Sequence, residues 1–148
     1  MTAVANDLRT GRSLVEPELF DSITQFVLDH FGETERDRAE RITDQAIAFL
    51  ATVGTATVKM VPSDDVDKGV HAFTLHTRDI DAFAEIHAGG RLHHNPRPGG
   101  GPRTLEDVQG TAHAMKSAGF MVMDDVWTVN GENAAQCDSD CGRDYRAN

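Results

Sequence analysis

The stretch EPELFDSITQFVLDHFGETERDRAERITDQAIAFLATVG, residues 16–54, decides the fold class. Leu19, Ile23, Phe26, Val27 and Phe31 recur at the spacing of one helical face. Pro17 suits a first helical turn and Gly32 a stop. Thr34 is the expected cap of a second helix, with Asp37 three residues on and a buried stripe of Ala39, Ile42, Ala46, Phe49, Leu50 and Val53, closed by Gly54. The join is short, so the two helices are expected to be antiparallel neighbours.

Outward from this pair the same period continues. Residues 55–61 are β-branched but isolated, and read as an extended connection. Ser63 caps a third helix whose first turn holds Asp64, Asp65 and Asp67, carboxylates suited to a positive helix start. Its expected buried line is Val66, Val70, Phe73 and Thr77. Asp79 would cap a short fourth helix carrying Ile80, Phe83 and His87, ended by Gly89-Gly90. After a loop rich in proline and glycine, a fifth helix begins near Thr104, with Leu105, Val108, Ala112 and Met115 inward and Gly119 as its end. Residues 120–129 are apolar and read as either extended or helical. The expectation is an all-α fold, a compact bundle of about five helices. Residues 1–13 read as a disordered leader, 14–131 as a single domain and 132–148 as a polar, cysteine-containing tail.

Composition narrows the functional classes. The 148 residues suit one domain, and the net charge of −10 with no basic stripe excludes a nucleic-acid partner. No stretch reaches the roughly 20 apolar residues of a membrane helix, and residues 1–12 lack the apolar core of a signal peptide. A cytoplasmic location and no membrane partner are expected. There is no Gly-x-Ser-x-Gly elbow, and Gly99 to Gly101 lacks the Lys and Ser/Thr of a phosphate loop.

Chemistry concentrates in the middle of the chain. His71, His76, His87, His93 and His94 lie within 24 residues (71–94), and Cys137 and Cys141 add two soft ligands near the end. Such residues build zinc, copper or iron sites. The spacing is not that of a known motif. His71 and His76 are about 140° apart on one helix, and adjacent His93 and His94 point opposite ways in extended chain. Cys137 and Cys141 share a helical face but lack the two-residue spacing of a zinc knuckle; they read equally as metal ligands or as free thiols in a loose tail, with a redox pair as the lesser alternative. For His71, His76, His93 and His94 a ligand or catalytic role stands beside simple hydrogen bonding. His87, behind Ile80 and Phe83, reads as a packed core histidine, and His30 and His113 as surface residues.

Several runs resemble the glycine-rich-domain-protein-like family in its short actinobacterial members: VDKGVHAFTLHTRD (66–79), Phe83 followed by GRLHHNP (90–96), AERITDQA (39–46) leading to Phe49-Leu50, and residues 111–120 with the cysteine tail. The likeness spans roughly residues 14–141. It implies a compact helical unit in which His71, His76 and the His93-His94 pair match recurring histidines. Members commonly carry an aromatic residue where Val70 stands, a cysteine near Ala84 and more cysteines in the tail, and the glycine-rich tract of longer relatives is missing from this sequence. The resemblance implies a setting in bacterial specialised metabolism.

The resulting expectation is a helical metal-binding protein with an accessory or catalytic role. The ligands would come from His71, His76, His93, His94, Cys137 and Cys141, the ion would be divalent, zinc foremost with copper or iron behind it, and a catalytic role would fall to His71 and His76. The metal would lower the pKa of a bound water. Two other classes remain open: a metal-free helical adaptor that binds a peptide or partner protein, and a metal-free enzyme using histidine as acid and base on a small molecule.

Overall fold

Small side chains let one helix be enclosed by the others, and the second half of the 16–54 stretch supplies them. A computed structural model of the chain describes residues 8–56, 58–89 and 103–135. Among these, five α-helices follow one another: α1 Pro17–His30, α2 Arg36–Val53, α3 Asp64–Thr74, α4 Thr77–His87 and α5 Leu105–Ser117. Two single 3-10 turns, Arg12–Leu14 and Asp124–Val126, and the strands β1 Thr128–Val129 and β2 Glu132–Asn133 complete the fold. The all-α expectation holds, with one small hairpin added.

α2 is the axis of the bundle. Every residue from Ile42 to Thr52 is buried, because α1, α3 and α5 all pack against it. The single apolar stripe expected from the sequence is therefore too narrow: Ala48, Ala51, Thr43, Asp44 and Gln45 are buried on the other sides. A helix enclosed on all sides carries no solvent face to reveal its orientation. α3 approaches it closely at Gly69, where a Cβ would lie 2.7 Å from the Ala46 Cβ and 2.9 Å from the Ile42 carbonyl oxygen.

Helix ends follow the sequence in part. Ser63 caps α3, accepting from the Val66 N–H at 3.1 Å, and its own hydroxyl donates to the Val126 carbonyl at 2.6 Å. Thr104 caps α5 through the Asp107 N–H. Two expected caps are displaced. Glu35 rather than Thr34 precedes α2, and α4 starts at Thr77 with His76 as its cap residue instead of Asp79. Thr77 consequently leaves the buried line of α3 and is exposed.

Both ends of the packed unit reach further than expected. Residues 8–13, read as leader, are strapped down. The Arg9 N–H donates to the Gly119 carbonyl at 2.8 Å and the Met121 N–H to the Arg9 carbonyl at 2.9 Å, forming a parallel bridge. The Arg9 and Arg12 guanidinium groups lie over the Phe120 and Phe20 rings at 4.5 and 4.2 Å. At the other end Ala134 and Ala135 are fully buried, although the tail was expected to begin at 132. β1 and β2 turn through Asn130 and Gly131, both at positive φ (51° and 84°), the pairing that a tight hairpin favours. The Ala134 N–H then bonds to the Trp127 carbonyl at 2.7 Å, and Lys116 Nζ to the Ala135 carbonyl at 2.6 Å.

Among the described residues, no helix is long and apolar enough to cross a membrane.

Candidate functional site

The end of α3 and the start of α4 meet α1 around His76. α3 stops at Thr74, Leu75 turns, and His76 caps α4. This break gives the His76 ring two partners. Nδ1 lies 2.7 Å from the Ala72 carbonyl oxygen, and Nε2 lies 2.8 Å from Ser22 Oγ on α1. A carbonyl oxygen only accepts, so Nδ1 carries the proton. In the neutral ring Nε2 is then the bare, basic nitrogen, and the Ser22 hydroxyl donates to it. The Phe26 ring stands edge-on at 6.1 Å, and Leu75, the residue before His76 in the chain, is 59% exposed. Ser22 faces solvent and His76 is half-buried, so both are reachable.

His71, one turn and a half earlier, turns elsewhere. Its Nε2 lies 3.1 Å from Asp67 Oδ2, an i,i+4 pair on α3. Arg103 holds the same carboxylate at 3.1 Å and Asp64 at 2.6 Å. The Phe31 ring lies 6.1 Å from the His71 ring. The two described histidines of the expected site therefore face different partners: His71 an acidic group, His76 a hydroxyl and a main-chain oxygen. Among the described residues no three His, Cys, Asp or Glu side chains converge as a metal-binding group. His93, His94, Cys137 and Cys141 lie outside the described residues.

Of the other described histidines, His30 is at the surface as expected, whereas His87, expected in the core, and His113, expected at the surface, are both half-buried. His87 packs on the Phe83 ring at 4.5 Å, and burial, with a smaller contribution from the Arg9 charge, pushes its pKa below the ordinary imidazole value. His30 is exposed and stacks near Phe26.

The acidic start of α3 is held by cations. Asp65 accepts from Arg38 at 2.8 Å and Lys68 at 3.3 Å, and Glu33 accepts from the same two groups at 2.8 and 3.0 Å. Burial alone would raise the Asp65 pKa, but the Arg38 hydrogen bond and charge, aided by Lys68, outweigh it and hold the carboxyl below its ordinary value. The network ties the α1–α2 turn to α2 and α3.

Gln45 is the polar centre that sequence reasoning missed. It is fully buried, and both ends of its amide are satisfied. Nε2 donates to Asp44 Oδ2 at 2.9 Å and to the Met121 carbonyl at 3.0 Å; Oε1 accepts from the Met123 N–H at 2.9 Å and from the Trp127 indole at 2.7 Å. Asp44 in turn accepts from the Arg12 N–H at 2.7 Å. The backbone at Arg12 and the segment 121–127 are thus fastened to neighbouring positions of α2. Beside them lies an open cleft of about 270 Å³ between the strap and α2, lined in part by Arg12, Phe20, Glu40 and Arg41. None of the described histidines borders it. The signal for Gln45 was a lone amide within the alanine-rich run of α2, where a buried polar group requires partners.

No protein-family model, curated protein or solved structure matches the chain. The likeness to the glycine-rich-domain-protein-like family gains no support from these comparisons.

Proposed function

We propose that this chain is a metal-free acid–base protein acting on a small molecule or peptide, with His76 Nε2 as the base. One observation carries the reading: the Ala72 carbonyl occupies Nδ1, which leaves the basic nitrogen turned to a solvent-exposed hydroxyl. A base within hydrogen-bond reach of the proton it takes is the first geometric requirement of general-base catalysis. The orienting group is a main-chain dipole instead of a carboxylate, so it stabilises an imidazolium less and the reaction would be slow. The test is hydrolysis of an activated ester such as para-nitrophenyl butyrate. His76→Asn should remove most of the turnover, since the Asn amide can still donate to the Ala72 oxygen but offers no base. His30→Gln, at an exposed histidine, should leave the rate unchanged. Equal rates in all three proteins would refute the reading.

A second proposal keeps the metal, zinc before copper or iron. What favours it is the Asp67 carboxylate on His71, itself held by Arg103, since carboxylates commonly orient metal-binding histidines. His93, His94, Cys137 and Cys141 would have to supply the remaining ligands. His76 would not be among them without displacing Ser22. Elemental analysis of untagged protein, giving a stoichiometric metal that His71→Ala removes, would support this proposal; metal content unaffected by His71→Ala would overturn it.

A further inference from the structure

We infer that Ser22 is a covalent nucleophile, and that the Ser22–His76 pair takes esters of small apolar acids. The inference rests on the acid–base reading of His76 and extends it to a second residue and a substrate class. Three groups stand in series: the Ser22 hydroxyl, its Oγ 2.8 Å from His76 Nε2; the imidazole; and the Ala72 carbonyl, its oxygen 2.7 Å from His76 Nδ1. This is the nucleophile, base and orienter arrangement of covalent acyl transfer, with a main-chain oxygen in the third position. The two residues are 54 apart in sequence, and their pairing joins α1 to the start of α4. Ser22 sits on α1 between buried Phe20 and Ile23, so its backbone is held while its hydroxyl faces out. His76 is pinned by its ring contacts and by the start of α4.

The chemistry balances without a further reagent. Ser22 Oγ attacks the ester carbonyl carbon as its proton passes to His76 Nε2. The C–O bond to the alcohol breaks, and the alcohol leaves with that proton. Water then attacks the acyl-serine, giving its proton to Nε2. The acid departs as Ser22 Oγ recovers the proton. The surroundings select the acyl group. Leu75, 59% exposed, adjoins His76 in the chain, and the Phe26 ring stands 6.1 Å from the imidazole. Both offer apolar contact, which favours a short aliphatic acyl chain over a charged one.

The experiment treats the full chain with a fluorophosphonate probe and locates the added mass by peptide mass spectrometry, alongside para-nitrophenyl butyrate turnover. The expected result is labelling at Ser22, lost in Ser22→Ala and reduced about a hundredfold in His76→Asn, in line with the usual contribution of a general base. Melting curves for both variants should match the parent, since neither side chain is part of the core. Labelling elsewhere, or Ser22 labelling that is unchanged in His76→Asn, would overturn the inference. The two readings separate cleanly. Turnover lost in His76→Asn but kept in Ser22→Ala would overturn the nucleophile and leave the base standing. Turnover kept in both variants would overturn both.

Discussion

The indole N–H of Trp127 donates to the side-chain oxygen of Gln45 across 2.7 Å in the fully buried interior, 82 residues away in sequence. Through the same amide α2 holds the Met121 carbonyl and the Met123 N–H. Gln45→Leu keeps the volume but takes a partner from four polar groups, of which the Trp127 indole and the Asp44 carboxylate are buried. A buried group left without its partner costs about 1–3 kcal/mol, so the indole alone sets an expected loss of about 1–3 kcal/mol in urea unfolding. A change under about 0.5 kcal/mol would show that the segment 120–127 is held by packing alone.

Gly69→Ala separates local propensity from packing, because the two predict opposite signs. In an exposed helix the change stabilises by about 1 kcal/mol. On α3 the new methyl would meet the Ala46 Cβ at 2.7 Å and the Ile42 carbonyl at 2.9 Å. Neither is the end of a flexible side chain, so the helices must part, at a cost of about 1–3 kcal/mol. A lower melting temperature is expected; a higher one would mean that α2 and α3 do not cross this closely.

His87 gives the fold a pH dependence with a definite sign. Its folded pKa lies below the ordinary value of about 6.5, chiefly through burial. Between the two values the unfolded chain binds more protons, so stability is greatest above about pH 6.5 and falls as the pH drops through that window. Below the folded pKa the loss is complete and the dependence ends. His87→Phe retains an aromatic ring against Phe83 and removes the titration. Thermal unfolding from about pH 7 to 5 should therefore decline more steeply in the parent than in the variant. Parallel curves would contradict this account.

Five helices were legible in the sequence because apolar periodicity, Pro17, Ser63 and Gly119 mark them locally. The errors share one physical origin, which is that long-range partners leave no periodic trace. The Arg9 strap is held by main-chain bonds to residues 119 and 121, and nothing in a short polar segment announces them. The enclosure of α2 from Ile42 to Thr52 escapes a single-stripe reading because stripe counting ignores alanines on the remaining faces. Asn130-Gly131 was a local hairpin signal, and its strands were too short to be noticed beside it. For the site, His76 stood out by residue type. Ser22 did not, because its role exists only once α1 and the α3–α4 break lie side by side.

The Nδ1–H tautomer of His76 is the hinge of the functional account, and nitrogen NMR reads it directly. In two-bond proton–nitrogen spectra of uniformly labelled protein, the neutral His76 ring is expected to carry its proton on Nδ1. Nε2 should be bare, and its resonance should move in Ser22→Ala as the hydroxyl donor is lost. A His76 ring protonated on Nε2, or an Nε2 resonance indifferent to Ser22, would contradict the claim that this nitrogen is the protein's base.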